Sequence, residues 1–356
     1  MRKDNAEVIY ENNIQGVEMK KRLNILYQCD NNFAFMTGVS FTSLLINASK
    51  QIEYYVYILT PDMSEENKKK YIQIKEQYSE IDMHLEFISA SECEKEVMSW
   101  NVPSHRGSWV TYYKLLLARL FGEDSGVEHI IHIGADTLVT GTLEDLTDFD
   151  FQGKPFAMNW SEKVRFHDYP KEAQYCIAEM IYFNLPEWRN HRCEERIIEH
   201  IKKYGDIYGS KDQGILCTQF IGEYVQLPLK YNVYGMTYYF SKRNRRLFNN
   251  APIITEQEIE EAYRNPEIIH LARTFLYRPC ELESLDRMND LWWKYCNQSP
   301  WRDMKPIVPN PPLNLKERFF RKIFQIMPIR LAEWLYIKAR HWSANLEWFL
   351  WRIRNA

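Results

Sequence analysis

Asp136 and His270 are the residues of this 356-residue chain best suited to share a metal ion. Each stands at the end of a short extended run: Val127 to Ile133 leads into Gly134-Ala135-Asp136-Thr137, and Glu267 to His270 ends in the histidine itself. A hard carboxylate oxygen and an imidazole from distant parts of a chain can hold a divalent cation such as Mn2+ or Mg2+. Such a cation, or basic side chains in its place, neutralises charge developing on a phosphate-bearing leaving group. Asp30 is a further candidate, at the end of the run Leu23 to Cys29. Its bland reading is an Asx turn that caps the next helix. Asp212 likewise reads either as a helix cap or as a functional carboxylate.

The elements that must position these groups alternate in type. Strands are expected at Leu23 to Cys29, Ile52 to Leu59 and His84 to Ile88, separated by helices at Phe33 to Asn47 and Glu65 to Tyr78. That βαβαβ order predicts a mostly parallel sheet with helices on its faces, and ligands in such sheets sit beyond the carboxyl ends of the strands. Trp109 to Phe121 reads as an apolar helix. Strand-like runs follow at Phe156 to Trp160 and Ile177 to Leu185, then a long polar helix at Trp188 to Tyr204 and, after a loop from Gly205 to Gly209, a short helix at Asp212 to Phe220. The boundaries expected are an amino-terminal extension over 1–20, an α/β domain over 21–301, a proline-rich linker over 302–312 and a helical tail over 313–356.

Seven short motifs, in order, resemble those of glycosyltransferase family 8, which includes bacterial lipopolysaccharide glucosyl- and galactosyltransferases and glycogenin. Asn24-Ile25-Leu26-Tyr27-Gln28-Cys29-Asp30-Asn31-Asn32-Phe33 is similar to the family's opening, and implies that Asp30, Asn32 and Phe33 line a nucleobase pocket. Tyr112-Tyr113-Lys114-Leu115 resembles a helix whose arginine reaches the donor, so Lys114 is implied as a donor-binding cation. His132 to Val139 is similar to the metal-binding run, with Asp136 as the surviving carboxylate. Tyr182 to Arg189, Asp212-Gln213-Gly214, Leu227 to Asn232 and Ile268 to Ala272 complete the series within the domain, and Leu291 to Trp301 matches the closing block. The resemblance implies a GT-A-type nucleotide-diphospho-sugar transferase fold, a Mn2+ or Mg2+ ion at Asp136 and His270, catalysis with retention by Asp212 and Gln213, and transfer of a hexose from a UDP-sugar to a polysaccharide, lipopolysaccharide or lipid-linked acceptor.

The chain departs from that pattern where chemistry is expected. Gly134 replaces the first metal-binding aspartate, and Ile177 and Glu179 replace an asparagine and a glycine of the sugar pocket. Glu179 reads as a new hydrogen-bonding group for the donor or as a salt-bridge partner. Arg278 stands where the family has the lysine of a diphosphate-binding loop, and Arg273 adds a second cation; together they are expected to carry phosphate charge. The alternative is an inactive relative that binds a nucleotide-sugar, a glycan or a partner enzyme.

Net charge is -3, but the residues from Leu313 onward hold nine Lys/Arg against three Glu, so charge is concentrated in the tail. Aromatic rings interleaved with these bases, and Leu331, Leu335, Trp342, Leu346 and Phe349 at helical spacing, suit an anionic membrane surface, a protein partner or packing on the chain's own domain. No aromatic β-platform accompanies them, which argues against nucleic acid. Seven cysteines without a CxxC pair, no signal-like amino terminus and no run of about 20 apolar residues predict a cytoplasmic protein peripheral to the inner face of the cell membrane.

Overall fold

The computed structural model describes residues 20–105, 107–162, 175–204 and 211–354. The expected extension before Lys20 and the loop from Gly205 to Gly209 lie outside the described residues.

A seven-stranded sheet has the order β3-β2-β1-β4-β7-β6-β8, formed by β1 (Lys21–Gln28), β2 (Ile52–Thr60), β3 (Met83–Ser89), β4 (His129–Ile133), β6 (Phe156–Glu162), β7 (Tyr175–Asn184) and β8 (Val225–Gln226). The first four are mutually parallel, and β7 pairs antiparallel with both β4 and β6. Alternate residues of β1 explain the layering. Leu23, Ile25 and Tyr27 join a core with Phe41 and Leu44 of the helix Ala34–Ile46, while Leu26 joins an opposite core containing Trp188, Ile197 and Leu216. A sheet covered on both faces accounts for the near-continuous apolar character of these strands.

Strand order reverses direction between β1 and β4, so a crevice opens beyond their carboxyl ends, where Asp30 and Asp136 lie. A second, three-stranded sheet completes this edge from β5 (Thr137–Val139), β9 (Val233–Tyr234) and β10 (Ile268–His270), in the order β5-β10-β9. Antiparallel pairing sets His270 opposite Thr137, and the Leu271 amide donates to the Asp136 carbonyl at 2.7 Å. Residues 133 and 135 positions apart in the chain thereby become neighbours.

Two expected helices differ in form. The segment after Trp109 is a 3-10 helix, Val110–Leu116, followed by one α-turn, Leu117–Leu120; the Lys114 amide donates to the Gln28 side-chain oxygen at 3.1 Å. The polar helix after Trp188 is divided into Leu185–Asn190 and Cys193–Tyr204 because Arg192 takes a left-handed backbone, φ 52°.

The proline-rich segment is fastened to the domain. Ile307 bridges Glu281, and its amide donates to the Cys280 carbonyl. Two helices follow, Leu315–Ile326 and Ile329–Arg354. The first begins in a reciprocal capping box of Asn314 and Glu317. Phe320 and Ile337 are buried with Phe275, Leu276 and Phe240, and the buried Glu333 carboxylate accepts from the Asn244 amide at 2.9 Å. One side of the tail therefore packs on its own domain. Leu315, Phe319, Ile326, Leu331, Trp334 and Trp342 remain exposed. The side chains of the expected stripe beyond 343, including Leu346 and Phe349, lie outside the described residues.

Candidate functional site

The crevice contains a cavity lined by Asp30 and Phe33 after β1, Thr111 and Lys114 of the 3-10 helix, Asp136 after β4, Glu179 of β7, and Arg278. Asp30 both caps and lines. Its Oδ1 accepts the Phe33 amide at 3.0 Å, which is the bland reading realised, and the residue still forms part of the cavity wall. Asn32 is exposed and is not among the lining residues.

Arg278 donates from Nε (3.1 Å) and Nη2 (2.5 Å) to Oδ2 of Asp136. Burial alone would push the Asp136 carboxyl up, but the Arg278 guanidinium and His270 outweigh it and hold it below the usual carboxylate value. Oδ1 of Asp136 stands 3.8 Å from Nε2 of His270, whose imidazole is driven down to about 4 by burial and so is neutral. Glu179 places Oε1 4.0 Å from the same nitrogen. Burial first, and then the charge of Asp136, raises its carboxyl to about 8. Asp136, Glu179 and His270 each offer one ligand atom, all within 4.8 Å of one another. Two oxygens and a neutral imidazole suit Mn2+ or Mg2+.

Behind this cluster lies a buried ion pair between Lys114 Nζ and Asp212 Oδ2, 2.8 Å apart. Thr111 donates to Oδ1 of Asp212 at 2.6 Å. Residues three apart eclipse in a 3-10 helix, so the tight winding aims Thr111 and Lys114 at one carboxylate. Lys114 also donates to the Ala178 carbonyl at 3.2 Å, and the Ala178 amide donates to Oε1 of Gln213 at the same distance. Asp212 and Gln213 thus adjoin the cavity through Lys114 and Ala178. Neither is among its lining residues.

Arg273 requires a correction. Its Nε donates to Oε1 of Glu281 at 2.8 Å and its Nη2 to the Pro311 carbonyl at 2.6 Å, and it is not among the cavity-lining residues. The guanidinium expected on a phosphate is committed to fastening the proline-rich segment. Thr111 and His132 are among the lining residues that sequence reasoning missed. Burial, aided by Lys114, holds the His132 imidazole well below its ordinary value, and neither ring nitrogen has a hydrogen-bond partner. His132 stood inside a quoted motif; Thr111 carried no signal, because its role depends on the winding.

Residues 24–272 match the family model described as glycosyl transferase family 8. The chain is 22% identical over 300 residues to general stress protein A of Bacillus subtilis, covering 82% of this chain and 98% of that protein. It is 21% identical over 322 residues to the lipopolysaccharide 1,2-glucosyltransferase of Escherichia coli, with 88% of each covered, and 25% identical over 193 residues to the lipopolysaccharide 1,3-galactosyltransferase of Salmonella typhimurium, covering 51% of this chain and 54% of that one. Among solved structures, galactosyltransferase LgtC in complex with donor and acceptor sugar analogues is similar with a TM-score of 0.61 at 16% identity, covering 81% of this chain and 98% of that chain. The bifunctional glycosyltransferase WbbM gives 0.63 at 19%, covering 79% of this chain and 50% of that chain. At these identities the structural likeness shows the fold, which is the GT-A type expected from the sequence.

Proposed function

The chain belongs to glycosyl transferase family 8, and from that premise we propose that it is a retaining transferase moving a hexose from a UDP-sugar to a hydroxyl of a surface polysaccharide, lipopolysaccharide or lipid-linked glycan. The observation that carries this reading is the convergence of Asp136, His270 and Arg278 at the crevice between β1 and β4. There the donor diphosphate would meet the Arg278 guanidinium, whose planar fork suits phosphate oxygens once it turns from Asp136. Asp136 and His270 would hold a divalent cation, which when bound supplies Lewis-acid stabilisation of the leaving diphosphate.

Asp30 and Phe33 would flank the base. Asp212, held in one orientation by Lys114 and Thr111, would fix a sugar hydroxyl, with Gln213 beside the anomeric carbon. The Lys114 ammonium and the Thr111 hydroxyl fix the direction of the buried Asp212 carboxylate, which is the preorganisation that transfer requires. A panel of UDP-, GDP- and dTDP-sugars, followed by donor hydrolysis and by transfer to bacterial glycan acceptors under Mn2+ titration, tests the reading. Turnover with a UDP-sugar is expected. Nucleotide binding without any turnover would instead support the inactive binding relative, and absence of both turnover and nucleotide binding would reject the transferase and leave only an inactive relative that binds a glycan or a partner enzyme.

The acceptor class draws support from relatives named for lipopolysaccharide transfer, and the tail fits it. Exposed Phe319, Trp334 and Trp342 share the surface with exposed Lys316, Lys322 and Lys338, a combination that places rings at headgroup level and ammonium groups on anionic lipid. Among the described residues no helix is long and apolar enough to cross a membrane, so the association proposed is peripheral, on the inner face of the cell membrane. Co-sedimentation with anionic vesicles that weakens with salt and disappears in Phe319→Ser/Trp342→Ser is expected; equal sedimentation with neutral vesicles would contradict it.

A further inference from the structure

Gly134 and Glu179 face each other across the β4–β7 pair. Ile133 is in register with Met180, and one step on, the Gly134 amide donates to the Glu179 carbonyl at 2.7 Å. A Cβ built on Gly134 would lie 1.6 Å from Oε2 of Glu179. The Glu179 carboxylate therefore occupies the space that a side chain at 134 would enter. Strands stand about 4.8 Å apart, and glutamate is one methylene longer than aspartate, so a carboxylate can be delivered to the same spot from the neighbouring strand.

The surroundings of that carboxylate are those of a ligand set. The His270 side chain is nine-tenths buried, and its Nε2 faces Asp136 and Glu179 at 3.8 and 4.0 Å, too long for hydrogen bonds. Donors bound to one cation at about 2.1 Å each stand roughly 3 to 4.2 Å apart, depending on the angle between them. Asp136 divides its oxygens, Oδ2 toward Arg278 and Oδ1 toward His270. Among the described residues, the ion-pair-range contact of Glu179 is His270, an imidazole that burial holds neutral.

We propose that Glu179 is the second carboxylate ligand of a divalent-cation site shared with Asp136 and His270, supplied from β7 in place of a side chain at position 134. The proposal rests on reading the crevice as a donor-diphosphate site and adds the residue that restores its charge. It also makes positions 134 and 179 interdependent: a carboxylate belongs on one or the other.

The test is Mn2+ binding to the full chain, followed by electron paramagnetic resonance with and without UDP, with thermal melting as the folding control. Glu179→Gln keeps the shape and is expected to bind Mn2+ at least about tenfold more weakly, since even outer-shell changes cost that much. Glu179→Gly should lose the same affinity, and Gly134→Asp/Glu179→Gly should regain most of it. Gly134→Asp alone should gain none and melt lower. Unchanged Mn2+ affinity in Glu179→Gln alongside a loss in Asp136→Asn would overturn the proposal, as would a double variant no better than Glu179→Gly. Wild type that binds Mn2+ but never UDP, with Glu179→Gln impaired, would uphold the ligand and defeat the transferase reading.

Discussion

Arg273 and Arg278 lie five residues apart after β10, both bonded to carboxylates in the interior, yet they are differently employed. Arg273 meets Glu281 and the Pro311 carbonyl, with side chains 6% and 5% exposed for the ion pair, and so joins two segments of chain. Arg278 meets Asp136, which also confronts a neutral imidazole, beside the ring of Phe33 and open space. The lesson is that charge and burial do not distinguish a structural arginine from a functional one. The distinction lies in what surrounds the partner carboxylate: backbone and packed chain in one case, a cavity in the other.

The largest expected effect comes from breaking the structural member. Arg273→Ala leaves Glu281 buried without a counterion and should cost about 3–5 kcal/mol in urea unfolding, with donor turnover per folded molecule unchanged. Arg273→Met/Glu281→Leu should recover most of that stability. A stable Arg273→Ala with lost turnover would instead put Arg273 at the donor. Next in size, Arg278→Ala should lower kcat on the order of 100-fold, about 2.7 kcal/mol, while melting shifts less than for Arg273→Ala, because Asp136 faces a cavity rather than packed chain. Equal losses of melting temperature in the two variants would erase the contrast.

Asp286 sharpens the comparison as a buried carboxylate facing neither arginine. Burial raises it from 3.8 to about 6 despite the Met288 amide. The folded state thus holds the proton more tightly than the unfolded chain. Stability is fully present below about pH 4 and falls as pH rises through about 6. Asp286→Asn should therefore gain about 3 kcal/mol at pH 7 and little near pH 4; a gain independent of pH would assign the effect to packing.

Much of this was legible in residue order. The apolar runs of β1 to β4 announced a parallel sheet, and Asp30 and Asp136 announced its open edge, because strand ends are local facts. Arg278 was found through a motif. The misreading of Arg273 had a different cause: Glu281 is near in sequence, but the Pro311 carbonyl comes from a segment whose prolines read as a free linker. Glu179 was recognised as out of pattern, while its place above Gly134 follows from cross-strand register, which is a tertiary property. The docking of Phe320 and Glu333 was one of the readings left open for the tail, since a basic aromatic helix looks the same whether one face is covered or none.

The pairing of β5 with β10 has a further consequence for how the molecule comes into being. Thr137 and His270 are joined by that short ladder, so a nascent chain can lay down β1 to β4 and their helices long before the histidine leaves the ribosome. At about 5–20 residues per second, the interval between emergence of the two halves amounts to many seconds. A growing polypeptide therefore passes through a stage in which β1 to β4 are made and the proposed cation site is incomplete, and that site can close only after His270 has been added.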